Sequence, residues 1–416
     1  GMAVAVAGGK ITDVLPTGQA EGLTAAQVID GTDKLVMPGL VDAHTHVCQQ
    51  FLRGRVLDQL PMIWTRIMLP YESTLTPEAS RLSAELACLE MIKSGTTFFA
   101  DAGGRHMDQV AQTALESGLR ASLTCSTMDE GGEGAAMVRP VQECLDENND
   151  LYDRWNGAGD GRISVAYSLR SMLSCSQELT LRVFETAAEK GALVHAHMSE
   201  YPNEVNNCLE RHQKRPFSYL AELGVLGPRF LAAHCLLLSE KEEELIAASG
   251  TKVVHSPFSN CGKAVPNTPA LLQRGVPVGL GTDGAAHGGL SIWSEMKIFR
   301  SVMNACHGAF RANPVVMPAK TLLRMATKGG AEVLNQGEKL GSLAPGKQAD
   351  FITINLAQPH ILPSGNLTNS LLEVVTAGDV ADMVVAGRLV MRDRLVLTLD
   401  EEKILAESRG LCQRLF

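Results

Sequence analysis

His44 and His46 close the stretch "VMPGLVDAHTH" with a spacing of two. In an extended chain, residues i and i+2 share one face, so the two imidazoles can offer their nitrogens side by side, as a pair of metal ligands would. The same pattern recurs along the chain, where apolar runs end in side chains able to hold a metal. "ALVHAHMSE" presents His195, His197 and Glu200, "FLAAHC" carries His234, "KVVHSPFSN" carries His255, and "VPVGLGTDGAA" carries Asp283. Imidazole and carboxylate are the usual ligands of a catalytic zinc or iron. Any one of these histidines could be a core residue satisfied by hydrogen bonds, but six of the eleven fall in such segments, which chance placement does not favour. A single ion with an open position for water needs about three or four protein ligands. One of His195 and His197 is therefore expected to stand beside the ligands rather than among them.

Something must carry these side chains to one place. From about residue 38, apolar strand-like runs alternate with amphipathic helical stretches: "TPEASRLSAELACLEMIKSG" then "TTFFADAG", "DQVAQTALESG" then "LRASLTCS", and onward to "VPVGLGTDGAA". Alternation sustained over roughly 300 residues predicts an α/β fold, a closed (β/α)8 barrel of the TIM type, with a doubly wound open sheet as the alternative. In such a barrel, catalytic groups sit at the C-terminal ends of the strands, where these histidines lie. Residues 1–37 and 343–416 read instead as short strands joined by Gly-rich turns, with a charged helix at the end. The two ends are expected to fold together into a small composite β-sandwich on a barrel spanning 38–342. The chain opens on Gly1 inside a strand-like segment, which suggests that the natural protein has residues before it.

Composition narrows the partners. A net charge of −9 offers no basic footprint for nucleic acid or an anionic membrane. No apolar run reaches the ~18 residues of a membrane span, and no signal peptide is evident. Ten scattered cysteines without a CxxC pair read as thiols in a reducing compartment, so the cytoplasm is expected. The expected ligand is a small molecule, and a homo-oligomer is compatible with all of this.

Taken in order, "PGLVDAHTH", "HAHMSE", "AAHC", "HSPFSN" and "GLGTDGAA" resemble the strand-end motifs of the amidohydrolase superfamily, in the branch of zinc aminohydrolases that deaminate purine nucleosides and other N-heterocycles. The resemblance spans about residues 30–350. It implies one divalent metal, Zn2+ foremost with Fe2+ or Mn2+ as alternatives, held by His44, His46, His197 and Asp283, with His195 a structural neighbour. It further implies that Glu200 shuttles a proton between the attacking water and a ring nitrogen, that His234 orients the nucleophile and leaving group, and that Asp283 passes a proton to departing ammonia. His255 is placed on the pocket wall. Hydrolysis of a C–NH2 bond needs an activated water, a base for it and an acid for the ring nitrogen, which this set can supply.

Two residues speak to the substrate. Glu72, in "LPYE", matches a glutamate that binds ribose hydroxyls in enzymes resembling S-adenosylhomocysteine and 5'-methylthioadenosine deaminases. Arg170, in "SLRSMLSCS", replaces the histidine of those enzymes and resembles the arginine with which guanine deaminases contact an oxo group. No arginine stands near "LTCSTMDEGG" to meet a distal carboxylate; Cys125 is there instead. The expected activity is hydrolytic deamination of an aminated purine nucleoside of the adenosine, S-adenosylhomocysteine or 5'-methylthioadenosine type. The alternatives are deamination of a free base or pterin and dechlorination of a triazine on the same scaffold.

Overall fold

The computed structural model describes residues 1–59, 62–131, 135–313 and 315–415. Its first two strands, β1 (Met2–Ala7) and β2 (Lys10–Pro16), form a hairpin. Gly8 and Gly9 make its two-residue turn with φ of 56° and 76°, the left-handed pair that a tight hairpin needs and glycine adopts without cost. β3 (Lys34–Pro38) then pairs antiparallel with β13 (Phe351–Asn355), from the far end of the chain. β14 (Val380–Val385), β15 (Arg388–Arg392) and β16 (Leu395–Val396) complete a five-stranded sheet in the order β16-β15-β14-β13-β3. The hairpin packs on this sheet through Ile11, Val4 and Val14 against Phe351, Val384 and Val36. Head and tail thus make one two-layered β unit.

Between them lies the barrel. β4 (Leu40–Thr45), β5 (Thr96–Asp101), β6 (Arg120–Leu123) and β7 (Ile163–Val165) form one parallel arc. β8 (Tyr167–Leu169), β9 (Val194–Met198), β10 (Phe230–His234), β11 (Lys252–His255) and β12 (Val278–Leu280) form the other. β7 and β8 are one barrel strand that changes partner at Ala166: the Ala166 N–H donates to Leu123 and the Tyr167 N–H to Leu193. Counted so, eight strands close the barrel, because the N–H groups of Thr282 and Asp283, beyond β12, both donate to the His44 carbonyl at 3.0 Å. Val41, Ala43, Phe98, Ala100, Leu193, Leu231, Ala233 and Val254 fill the interior, with Ala331, Val333, Leu334 and Leu340 packed against them. Alternate residues such as Val194, Ala196, Met198 and Val253 face the larger cluster under the helices. This period-two division follows from the pleat; it turns His195 and His197 inward with Leu193 and His255 outward with Val253.

The helices bear ordinary end signals. In Pro77–Ser94, Thr76 accepts the Ala79 N–H at its start and Gly95, at φ 91°, ends it. The C-terminal helix Glu401–Leu415 lies along this helix, with ion pairs Arg81–Glu407, Lys93–Glu401 and Arg414–Glu78. Arg120, on β6, reaches out of the barrel to a buried two-point pair with Asp350 at 2.6 and 3.1 Å. Asp350 directly precedes β13 and also accepts the Ala386 N–H, so this pair joins barrel to β unit. All ten cysteines are unpaired, and among the described residues no helix is long and apolar enough to cross a membrane.

Candidate active site

His195 and His197 follow Leu193 on the inward parity of β9, while His44 and His46 leave the end of β4 where its pairing with β5 becomes irregular. Asp283 is brought to them by a close crossing of backbones. A Cβ on Gly281 would lie 2.5 Å from the His44 carbonyl oxygen, and one on Gly284 2.9 Å from that of His46. The glycines of "GLGTDG" are therefore demanded by packing. Asp283 itself has φ 58°, a left-handed conformation rare outside glycine and concentrated at functional sites.

His44, His46, His197 and Asp283 are all buried, and each has a ligand atom within 4.8 Å of the others'. Nε2 of His46 and Nε2 of His197 stand 3.1 Å apart, and Nε2 of His44 is 3.1 Å from Asp283 Oδ1. Burial is the main reason that His46 and His197 titrate well below the ordinary histidine range, with the Arg170 cation and neighbouring imidazoles adding to it. Neutral imidazoles keep a lone pair for a metal. Asp283 is held well below the usual carboxylate range: burial opposes this, but His234, the bond to His44, His287 and Lys263 outweigh it. Three nitrogens and one carboxylate converging in this way fit a divalent metal ion. His195 shares a 2.8 Å hydrogen bond with Nδ1 of His44. It thus occupies the ring edge opposite the one facing Asp283, where a ligand's orienting partner stands.

A second group, Glu200, His234 and Asp283, adjoins the first. Glu200 sits on a tight turn with Ser199 at φ 50°, held by the fully buried Glu204, whose carboxylate accepts the N–H groups of Ser199 and Glu200 at 2.8 and 3.0 Å. Lys263 donates to Glu200 and to Ser259 Oγ, and Ser259 donates to Asp283 Oδ2 at 2.6 Å. His234, at φ 72°, places Nε2 3.7 Å from Glu200 Oε2. Asn260 fixes its tautomer. The Asn260 Oδ1 accepts the Ser256 N–H at 2.9 Å, so its amide group donates to Nδ1 of His234, also at 2.9 Å. The ring proton is left on Nε2, an atom with no hydrogen-bond partner among the described residues, and burial holds the ring neutral. His234 thus offers the site a hydrogen-bond donor.

A cavity of about 410 Å³, counting its open mouth, is lined by His46, His197, Asp283 and Glu200 on one side and by Trp64, Met68, Arg170 and Tyr201 among its other walls. His255 does not line it. Its parity on β11 is that of Val253, toward the helices, where its ring lies 5.6 Å from Phe299 and its Nδ1 bonds the His234 carbonyl; it supports His234 from behind. Glu72 and Arg170, which the sequence sets up as competing substrate readers, are each other's partners. Arg170 donates to both Glu72 oxygens at 3.1 and 3.3 Å, and Gln49 donates to Glu72 at 2.8 Å. Only Arg170 and Gln49 of this trio line the cavity.

The sequence reading overlooked Asn260, Ser259, Lys263 and Glu204. The first two stand within "HSPFSN" and the last lies four residues after Glu200, so all were near a motif, yet nothing in their spacing announces a partner on another strand. With this geometry in view, comparison with known proteins is decisive: the model of the amidohydrolase family matches residues 35–390. The chain belongs to the amidohydrolase family. It is 37% identical to a 5-methylthioadenosine/S-adenosylhomocysteine deaminase of Pelotomaculum thermopropionicum, over 99% of this chain and 93% of the relative. A 5'-deoxyadenosine deaminase of Methanosarcina mazei is 36% identical with the same coverage. The crystal structure of an adenosine deaminase from Xanthomonas campestris with bound zinc superposes with a TM-score of 0.92 at 30% identity, covering 99% of this chain and 93% of that one.

Proposed function

We propose that this amidohydrolase is a zinc-dependent deaminase that hydrolyses an aminated purine nucleoside, of the adenosine, 5'-methylthioadenosine or S-adenosylhomocysteine type, to the oxo nucleoside and ammonia. The observation that carries the reading is the convergence of a His-His-His-Asp donor set with the acid–base residue Glu200 and the neutral donor His234, beside a cavity that His46, His197, Asp283 and Glu200 line. The names of its relatives give the substrate class. In this reading His44, His46, His197 and Asp283 hold the ion. When bound, the ion supplies Lewis acidity that makes a hydroxide nucleophile available near neutral pH.

The remaining steps belong to side chains of this chain. Glu200 takes a proton from the attacking water and delivers it to the ring nitrogen beside the reacting carbon, which lets that carbon accept the new C–O bond. The Nε2–H of His234 bonds the incoming oxygen and fixes its direction. Asp283 takes the second proton and passes it to the amino group, so that the C–N bond breaks with ammonia leaving and a carbonyl remaining. Lys263 and Glu204 keep the Glu200 carboxylate aimed throughout. Ammonia release from adenosine, 5'-methylthioadenosine, S-adenosylhomocysteine, guanine and isoxanthopterin tests the reading: kcat/KM should be highest for a nucleoside. Exclusive turnover of a free base or pterin would overturn it in favour of the reading that Arg170 otherwise suggests.

A further inference from the structure

Glu200, His234 and Asp283 bring ligand atoms within 4.8 Å of one another, which makes a second place for a divalent cation beside the first. Asp283 faces both ways. Its Oδ1 lies 3.1 and 3.7 Å from Nε2 of His44 and of His46, while its Oδ2 meets Ser259 and faces Lys263. Nε2 of the fully buried His234 stands 3.7 Å from Glu200 Oε2, with no hydrogen-bond partner among the described residues. Two carboxylates, one of them able to bridge, and an unpartnered imidazole make a donor set that suits zinc. An ion seated there would take the atoms on which the proposed reaction depends, since Glu200 and Asp283 carry its protons and His234 directs its nucleophile.

Two features close this position. The first is Lys263, whose buried side chain puts its ammonium between the two carboxylates: it donates to Glu200, donates to Ser259 Oγ at 2.8 Å and lies 3.8 Å from Asp283 Oδ2. A fixed cation there satisfies Glu200 and repels a divalent ion, the more so where water is scarce. The second is Asn260. Its amide group donates to Nδ1 of His234, which leaves the ring proton on Nε2, the nitrogen that faces Glu200. A ring nitrogen that carries a proton has no lone pair for a metal. We propose that Lys263 and Asn260 hold this protein to a single ion, the one by filling and the other by capping a second divalent-cation site formed by Glu200, His234 and Asp283. Glu200 is thereby kept free to move protons next to a metal that its carboxylate would otherwise bind.

The inference rests on the assignment of the first ion to His44, His46, His197 and Asp283. To test it, wild type, Asn260→Asp, Lys263→Met and the double variant are equilibrated in zinc-buffered solutions, zinc per chain is measured by mass spectrometry, and melting checks the fold. Anomalous scattering from crystals then locates each ion. In Asn260→Asp the new oxygen accepts a proton from Nδ1 while Oδ1 keeps the Ser256 N–H, which turns the lone pair of Nε2 toward the site. Wild type should stay at one zinc per chain in excess zinc. The double variant should take two, with the second anomalous peak about 2.1 Å from Nε2 of His234. Each single variant should need about tenfold or more free zinc than the double variant to fill that position. Asn260→Asp alone should fill it at free zinc about tenfold or more below any at which wild type does; equal behaviour of these two overturns the inference even where the double variant does not fold. A wild type that binds a second zinc on Glu200 and His234, a folded double variant that stays at one ion, or a second ion seated away from these three residues would overturn it too. Wild type holding no zinc would sink the metal assignment and the inference together, whereas one ion in wild type and one in the double variant sinks the inference alone.

Discussion

Asn260 decides which nitrogen of His234 carries the proton, and with it whether that ring donates or accepts toward the site. Replacing it by Leu, of similar volume, frees the tautomer without touching a metal donor. Partners that orient a functional histidine typically contribute about 10–100-fold, so Asn260→Leu should lower kcat by that order while metal content stays at the wild-type level. Unchanged kcat would show that the tautomer is immaterial. Glu200→Gln makes a sharper cut at the same scale. The amide keeps the shape and removes the proton relay, for which losses of about 10²–10⁴-fold are usual, again with metal retained. Near-normal turnover would move the relay to another group. These two residues differ in how readable they were: Glu200 lies three residues after His197 in a recognisable motif, whereas Asn260 acts across strands, on a ring 26 positions away.

At the scale of the elements, pleat parity accounts for His195 and His197 and for one shortfall. Because side chains alternate along a strand, the inward face of His195 and His197 follows from Leu193. The same rule, applied to Val253 and Val254, would have sent His255 outward, where it stands. What parity cannot supply is the irregular chain after each strand, where Ser199, His234 and Asp283 all take left-handed φ and where the pairing of Glu72 with Arg170, 98 residues apart, is made. The turn after β9 has its own signature. Burial pushes the Glu204 carboxyl up to about 8 from 4.5, against the opposing bonds from Ser199 and Glu200. A raised folded-state value means that the folded protein binds the extra proton, so this contribution to stability is full below about pH 4.5 and is lost as pH rises through about 8, at no more than ~1.4 kcal/mol per pH unit. Glu204→Gln should therefore flatten the fall in melting temperature between pH 5 and 8; an unchanged slope would show that Glu204 is ionised throughout. The Arg120–Asp350 pair gives a second test. Breaking one member of a buried pair commonly costs ~3–5 kcal/mol, so Arg120→Met should lower the denaturation midpoint markedly, and Arg120→Met with Asp350→Leu should recover part of the loss. Strictly additive losses would mean that the two groups act separately.

For the whole molecule, the barrel brings donors from residues 44 to 283 to one rim, and the β unit built from both chain ends closes around its outside. The rhythm of strand and helix made the barrel legible, and the shared character of head and tail made their pairing legible. The break of one barrel strand at Ala166 was not, since a change of partner strand leaves no mark in composition. The central claim is that this rim holds one ion and uses it to remove an amino group from a purine nucleoside. The most direct test is the yield of ammonia and inosine from adenosine, measured side by side on the protein as purified, after chelation, after zinc is returned, and on His44→Ala. The account predicts one ammonia per inosine with about one metal per chain, loss of both activity and metal on chelation and in His44→Ala, and recovery with zinc in the wild type alone. A folded protein with a full complement of zinc that releases no ammonia from adenosine, 5'-methylthioadenosine or S-adenosylhomocysteine, or a His44→Ala variant that turns over at the full rate, would contradict it.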